Sequence, residues 1–218
     1  MRRAIDGRVF PRGRHGLGPC GMSELRKRLA ECRICADRFA ATATGHAPRP
    51  LVWFRPGVRL AIASQAPGRR SHEGDLPFRD GSGVRLRDWL GLEEAAFYDR
   101  DRVAIVPMGF CFPGYDAAGN DLPPPAICRR TWRDAVMAEV GEVPLLLAVG
   151  GLAQRWHLGA RGGVGETVGR WRAFLPGAVP LPHPSWRNSS WLKRNPWFEA
   201  ELLPVLRARV AGVMADRG

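Results

Sequence analysis

The stretch "RLAIASQAPGRR", Arg59–Arg70, decides the architecture. Its first half, Arg59–Ser64, is a short apolar run with no polar alternation, and its second half is a Pro-Gly turn followed by two arginines. A run of this length suits a strand buried on both faces, the environment of a parallel sheet. Three further runs have the same character: "RVAIVP" (Arg102–Pro107), "PLLLAV" (Pro144–Val149) and "AVPLP" (Ala178–Pro182). Helical patterns lie between them at Gly83–Leu92, Ala126–Val140 and Gly151–Leu158. A last helix is expected to start near Pro196, a good first-turn residue. Alternation of this kind predicts a three-layer α/β/α sandwich around a central, mainly parallel four-stranded sheet.

The chain has 218 residues, 45 % of them hydrophobic, and no internal repeat. That fits one sizeable domain, since domains usually run ~100–200 residues. No stretch approaches the ~18–20 apolar residues of a membrane span, and the charged N-terminus lacks the apolar core of a secretory signal. Free cysteines in such a chain point to a reducing cytoplasm. The formal net charge is +12, and arginine dominates. Guanidinium groups match phosphate geometry, so the expected partner is a polyanion, nucleic acid before membrane. Arginine usage across a whole genome would give the same excess.

Residues 1–21 hold five arginines against one aspartate and show no periodicity. They read as a disordered basic arm, either binding DNA phosphates or preceding a true start at Met22, with the second favoured. Cys20 lies in this arm and is expected to ligate nothing. Ser23 is a suitable N-cap for a short helix, and residues 22–218 are read as the single domain.

In α/β sandwiches ligands sit beyond the carboxyl ends of the strands, so the text after each strand carries the function. After the first strand comes "SQAPGRR" (Ser64–Arg70) and then "SHEGDLPFRDGSG" (Ser71–Gly83); after the fourth comes "HPSWRN" (His183–Asn188). Pro67-Gly68 fixes a tight backbone whose N–H groups can face a ligand. His183 precedes a proline and is therefore held extended, aiming an imidazole into the crevice. Cys32 and Cys35 form a C-x-x-C, Cys111 ends the second strand region, and Cys128 follows 17 positions later. Four thiolates suit a 4Fe–4S cluster or a four-cysteine zinc site. Spacing alone also admits four buried cysteines that never meet metal.

Together these segments resemble the uracil-DNA glycosylase superfamily, most closely its iron–sulfur branch. Ser64-Gln65-Ala66-Pro67-Gly68 stands in the place of that branch's first motif, Pro77-Phe78 follows after eight residues, and His183-Pro184-Ser185 matches the second motif. The branch's cluster cysteines fall on Cys32, Cys35, Cys111 and Cys128. The resemblance runs roughly from Leu25 to Val210. It implies an enzyme that flips a damaged nucleotide out of DNA and hydrolyses its N-glycosidic bond, working as a monomer in the cytoplasm, at the nucleoid. Phe78 would stack on the base, His183 would donate a hydrogen bond to the carbonyl oxygen that gains charge, and Ser64, Ala66, Pro67, Gly68 and Asp75 would shape the base pocket. Ser185, Asn188, Lys193 and Arg194 would hold DNA, with Trp186 and Arg187 pressing into the gap left by the flipped base. The cofactor implied is a 4Fe–4S cluster with a structural role.

Two positions depart from the pattern. Gln65 stands where the iron–sulfur families usually have Glu, and Ala66 where the best-known family has its catalytic Asp. A neutral amide can position water but is neither a base nor a counter-ion. Among His72, Glu73, Asp75 and Asp80, His72 is the first choice to replace it. The asparagine expected to read the uracil edge appears as Pro107-Met108. An alternative function is therefore a uracil-DNA binding protein with slow or no turnover, with His72 a conceivable nucleophile for a covalent adduct. A third, an iron–sulfur protein acting on free nucleosides, is disfavoured because small substrates need no basic surface.

Overall fold

A computed structural model describes residues 22–215 of the chain. The arm, with Cys20, lies outside the described residues. The four apolar runs form β1 (Leu60–Ala63), β2 (Val103–Ile105), β3 (Leu145–Val149) and β4 (Ala178–Leu181). Every neighbouring pair is parallel, and the order across the sheet is β2-β1-β3-β4. Leu60 lies opposite both Val103 and Leu145, and Leu147 opposite Val179. The chain winds outward from β1 to β2 and then returns to β3 on the other side of β1. The crevice of a doubly wound sheet opens at such a reversal, at the carboxyl ends of the strands.

Side chains alternate faces along each strand, and here the two faces differ in bulk. Leu60, Ile62, Val103, Ile105, Leu145, Leu147, Val149, Val179 and Leu181 pack with Leu86, Trp89 and Leu90 of helix Gly81–Leu90 and with Leu206 and Val210 of helix Leu203–Ala215. On the opposite side Ala104 and Val106 meet Leu29, Trp132, Val136 and Val140, from helices Glu24–Ala30 and Ala126–Val140. Ala63 and Ala148 lie against Ala153 of helix Gly151–Leu158. Helices on both faces of a four-stranded parallel sheet make the three-layer α/β/α sandwich that the sequence pattern implies.

Several boundaries follow from caps. Ser23 accepts from the Arg26 amide, and its hydroxyl donates to Glu139 at 2.6 Å, pinning the first helix to Ala126–Val140. The helix expected over Gly83–Leu92 instead spans Gly81–Leu90. Asp80 caps it by accepting from the Ser82 and Gly83 amides, and Gly91 ends it in the left-handed conformation. The last helical segment begins with a π turn, Phe198–Leu202, before Leu203–Ala215. Pro204 lacks the N–H that a regular α ladder needs there. Among the described residues no helix is long and apolar enough to cross a membrane.

Candidate active site

A cleft of about 980 Å³ opens at the carboxyl ends of the strands. Its walls are the loop after β1 (Ser64–Ser71), the segment Pro77–Ser82, the end of β2 at Ile105 and Pro107, and the loop after β4 (His183–Asn188). Backbone hydrogen bonds set the first wall: Met108 donates to the Ser64 carbonyl at 2.8 Å and Gly109 to that of Gln65 at 3.0 Å. Buried Gln154 donates to the Leu181 carbonyl at 2.9 Å and holds the end of β4, two residues before His183. Beyond it the loop is closed by Asn188, whose amide donates to the His183 carbonyl at 2.7 Å, and by Arg85, which donates to the Ser185 carbonyl at 3.1 Å.

Phe78 is held in a costly conformation. Its φ is +55°, in the left-handed region that a bulky residue rarely enters. Tyr98 donates its hydroxyl to the Pro77 carbonyl at 2.9 Å and to that of Phe78 at 3.3 Å. The Phe78 carbonyl fits against the next helix only because position 83 is glycine, where an added Cβ would lie 1.8 Å from that oxygen. Strain of about 1–3 kcal/mol persists where the surroundings enforce it, and here it presents an aromatic ring to the cleft.

The electrostatics divide the cleft in two. Arg69, Arg70, Arg85 and Arg187 give it a cationic wall. Against this, Asp80, Asp121 and Glu73 supply carboxylates, of which Glu73 pairs with Arg69 at 2.7 Å and Asp121 with Arg187 at 3.6 Å. Burial holds the His183 imidazole below its usual range, with Asp80 and Asp121 pulling the other way. His183 is thus neutral at neutral pH and able to donate one hydrogen bond without carrying charge. Trp186 is 74 % exposed at the rim, too bare to be a packing residue.

The family model described as the Uracil DNA glycosylase superfamily matches residues 52–207. The chain belongs to that superfamily. The matched span contains every wall of the cleft except Leu51, and membership supports a uracil-DNA glycosylase-like function, acting on DNA.

Within this superfamily member, Ser64, Gln65, Ala66, Pro67, Gly68, Phe78, His183, Ser185, Trp186, Arg187 and Asn188 come together around one cleft. Four other residues singled out in the sequence do not line it. His72 turns away and packs edge-on against His46, with ring centroids 5.1 Å apart, and 6.0 Å from Phe112. Asp75 sits exposed at the end of helix Arg69–Gly74, 3.6 Å from Arg49. His72 and Asp75 follow Gly68 on a short helix whose cleft-lining positions are Arg69, Arg70, Ser71 and Glu73. Lys193 and Arg194 are exposed on helix Ser189–Arg194, beyond the rim. Sequence reading missed Arg85, Tyr115 and Asp121, which line the cleft. Arg85 lies one turn into a helix, and its reach across to the Ser185 carbonyl, 100 positions away, has no local signal.

The cysteines occupy a second place. Cys32, Cys35, Cys111 and Cys128 line one small cavity with Phe39, Phe110 and Trp132, and none forms a disulfide. Among the described residues no three His, Cys, Asp or Glu side chains gather closely enough to hold a single metal ion. Burial, and then the neighbouring thiols, push Cys111 far up, and burial raises Cys128 to about 11. Two residues beside them, Trp132 and Arg133, each keep one buried N–H without a partner. The buried Trp132 indole N–H lines the cavity without an acceptor. Arg133, fully buried, has no carboxylate bonded to it among the described residues, and burial pulls its pKa down to about 9 although Asp134 and Cys128 oppose this. An orphan donor and a cation with no bonded carboxylate, beside one buried and three half-buried thiols, fit an anionic sulfur-rich group.

Proposed function

We propose that this protein is a DNA base-excision glycosylase of the superfamily's iron–sulfur branch, a hydrolase that cleaves the N-glycosidic bond of uracil, or a related deaminated base, in DNA. The observation that carries this reading is the single cleft joining the Ser64–Gly68 loop, the strained Phe78 and the His183–Asn188 loop beside a wall of arginines. A nucleotide rotated out of the duplex would place its base against Phe78 and its flanking phosphates near Arg69, Arg70 and the Ser185 loop. Bond cleavage leaves negative charge on the base, and a neutral imidazole donor at His183 stabilises it as an oxyanion hole does. Trp186 and Arg187 at the rim suit the space that the flipped base vacates.

The cofactor proposed is a 4Fe–4S cluster on Cys32, Cys35, Cys111 and Cys128. When bound, such a cluster would supply a cross-link rather than electrons, because glycosidic hydrolysis is not a redox reaction. Trp132 would donate to one of its sulfurs, and Arg133 would offset its charge. We place the enzyme in the cytoplasm at the nucleoid, acting as a monomer.

A second reading, a uracil-DNA binding protein with slow turnover, is favoured by Gln65 and Ala66, neither of which is an acid. A covalent adduct through His72 finds no support in a ring that packs outside the cleft. Incubation with a uracil-containing oligonucleotide separates the readings: alkali-labile strand breaks mean base excision, a gel-stable adduct means covalent capture, and neither, with retained binding, means a binding protein.

A further inference from the structure

We propose that Asp80 is the carboxylate of the active site, serving as counter-charge to the sugar cation and as acceptor for the attacking water; the inference rests on the glycosylase reading above. Four observations converge on it. Asp80 lines the cleft between its two principal loops. Its Oδ1 accepts from the amides of Ser82 at 2.9 Å and Gly83 at 3.3 Å, which fixes the carboxylate in place. Its other oxygen turns toward the first loop: a methyl built on Gly68 would lie 3.7 Å from Oδ2. Finally, Asp80 acts electrostatically on His183, so the acid and the imidazole share one field.

The competing carboxylates are otherwise engaged. Glu73 is bound to Arg69 and Asp121 to Arg187, whereas among the described residues no arginine or lysine pairs with Asp80. Asp75 and His72 lie outside the cleft. Helix capping alone uses one oxygen and leaves the second without a task. A lone negative charge in a cleft walled by arginines is costly for binding DNA, since it repels phosphate. It is useful where positive charge develops at the sugar.

The reaction balances through this residue. The C1′–N bond breaks with both electrons leaving on the base, which His183 holds. Water oxygen bonds to C1′, and its proton passes by way of Asp80 to solvent, from which the base nitrogen is reprotonated.

The test uses Asp80→Asn, because asparagine caps a helix as well as aspartate does and only the charge is lost. Thermal melting of both proteins checks that the fold survives. Two readouts follow: single-turnover release of uracil from an oligonucleotide, and affinity for DNA carrying a cationic pyrrolidine against a neutral tetrahydrofuran at the target position. We expect release to fall by about 10²-fold or more, and the wild type's preference for the cation to drop by about tenfold or more, while affinity for the neutral site holds or rises. A wild type without cation preference, or an Asp80→Asn protein that keeps it or keeps full release, overturns the proposal. If the wild type releases no base, the glycosylase reading fails, yet the cation preference still decides the role of Asp80.

Discussion

Acid should destabilise this protein through one buried pair at the end of β2. Arg133 donates to the carbonyls of Val106 and Pro107, where β2 ends, and its other terminal nitrogen contacts Nε2 of His157. His157 is the acceptor in that contact and must be neutral. Burial, and then the charge of Arg133, push it down to about 3. In the unfolded chain a histidine titrates near ~6.5, so the unfolded state takes up the proton first. The contribution to stability is complete above about pH 6.5 and is lost as the pH falls toward 3. Linkage puts the loss at about 1.4 kcal/mol by pH 5.5 and about 2.7 kcal/mol by pH 4.5. His157→Gln keeps an acceptor for Arg133 but cannot titrate. Urea unfolding followed by tryptophan fluorescence, for both proteins across this range, isolates the term, because all other groups cancel in the difference. The gap between wild type and variant should close, or reverse in the variant's favour, as the pH drops. Parallel stability curves would refute the buried neutral histidine.

Further outcomes are expected at the two sites. His183→Ala should slow base release by about 10²–10³-fold through loss of a preorganised donor, with Gln65→Ala milder and His72→Ala without effect in the same single-turnover assay. Gly83→Ala should lower the melting temperature and base release together, since the new methyl collides with the Phe78 carbonyl; a variant with wild-type melting and activity contradicts the account of Phe78. Purified protein should be brown with absorbance near ~400 nm, Cys111→Ser or Cys128→Ser should lose iron, and Trp132→Phe should retain iron but shift the cluster's reduction potential. A colourless protein carrying one zinc overturns the cluster. Duplex DNA affinity should fall with salt at a slope of roughly −0.9 per neutralised phosphate, and salt-independent binding would contradict a cationic wall.

Much of the fold was legible because its signals are local. The apolar runs at Leu60–Ala63 and Leu145–Val149 are buried on both faces and read as parallel strands without any tertiary information. Helices Ala126–Val140 and Gly151–Leu158 run as their periodicity implied. The helix at Gly81–Leu90 was displaced by two residues because Asp80, as its cap, outweighs the first apolar position. The two loops that wall the cleft were legible as well, since they follow strand ends. His72 was not: it lies in the first loop's sequence, but its ring packs against His46 and Phe112.

The sequence by itself determined the layer architecture, the two loops and the four cysteines, because strand burial, turn chemistry and thiol spacing each act within a few residues. Only the tertiary structure decided which charges meet. Asp80 faces Gly68 and acts electrostatically on His183, Arg85 holds the Ser185 carbonyl, and Arg133 stands behind β2 with His157. The partners of Asp80 at His183, of Arg85 at Ser185 and of Arg133 at His157 lie on other elements of the chain, and electrostatic coupling depends on distance through space, which no local pattern records.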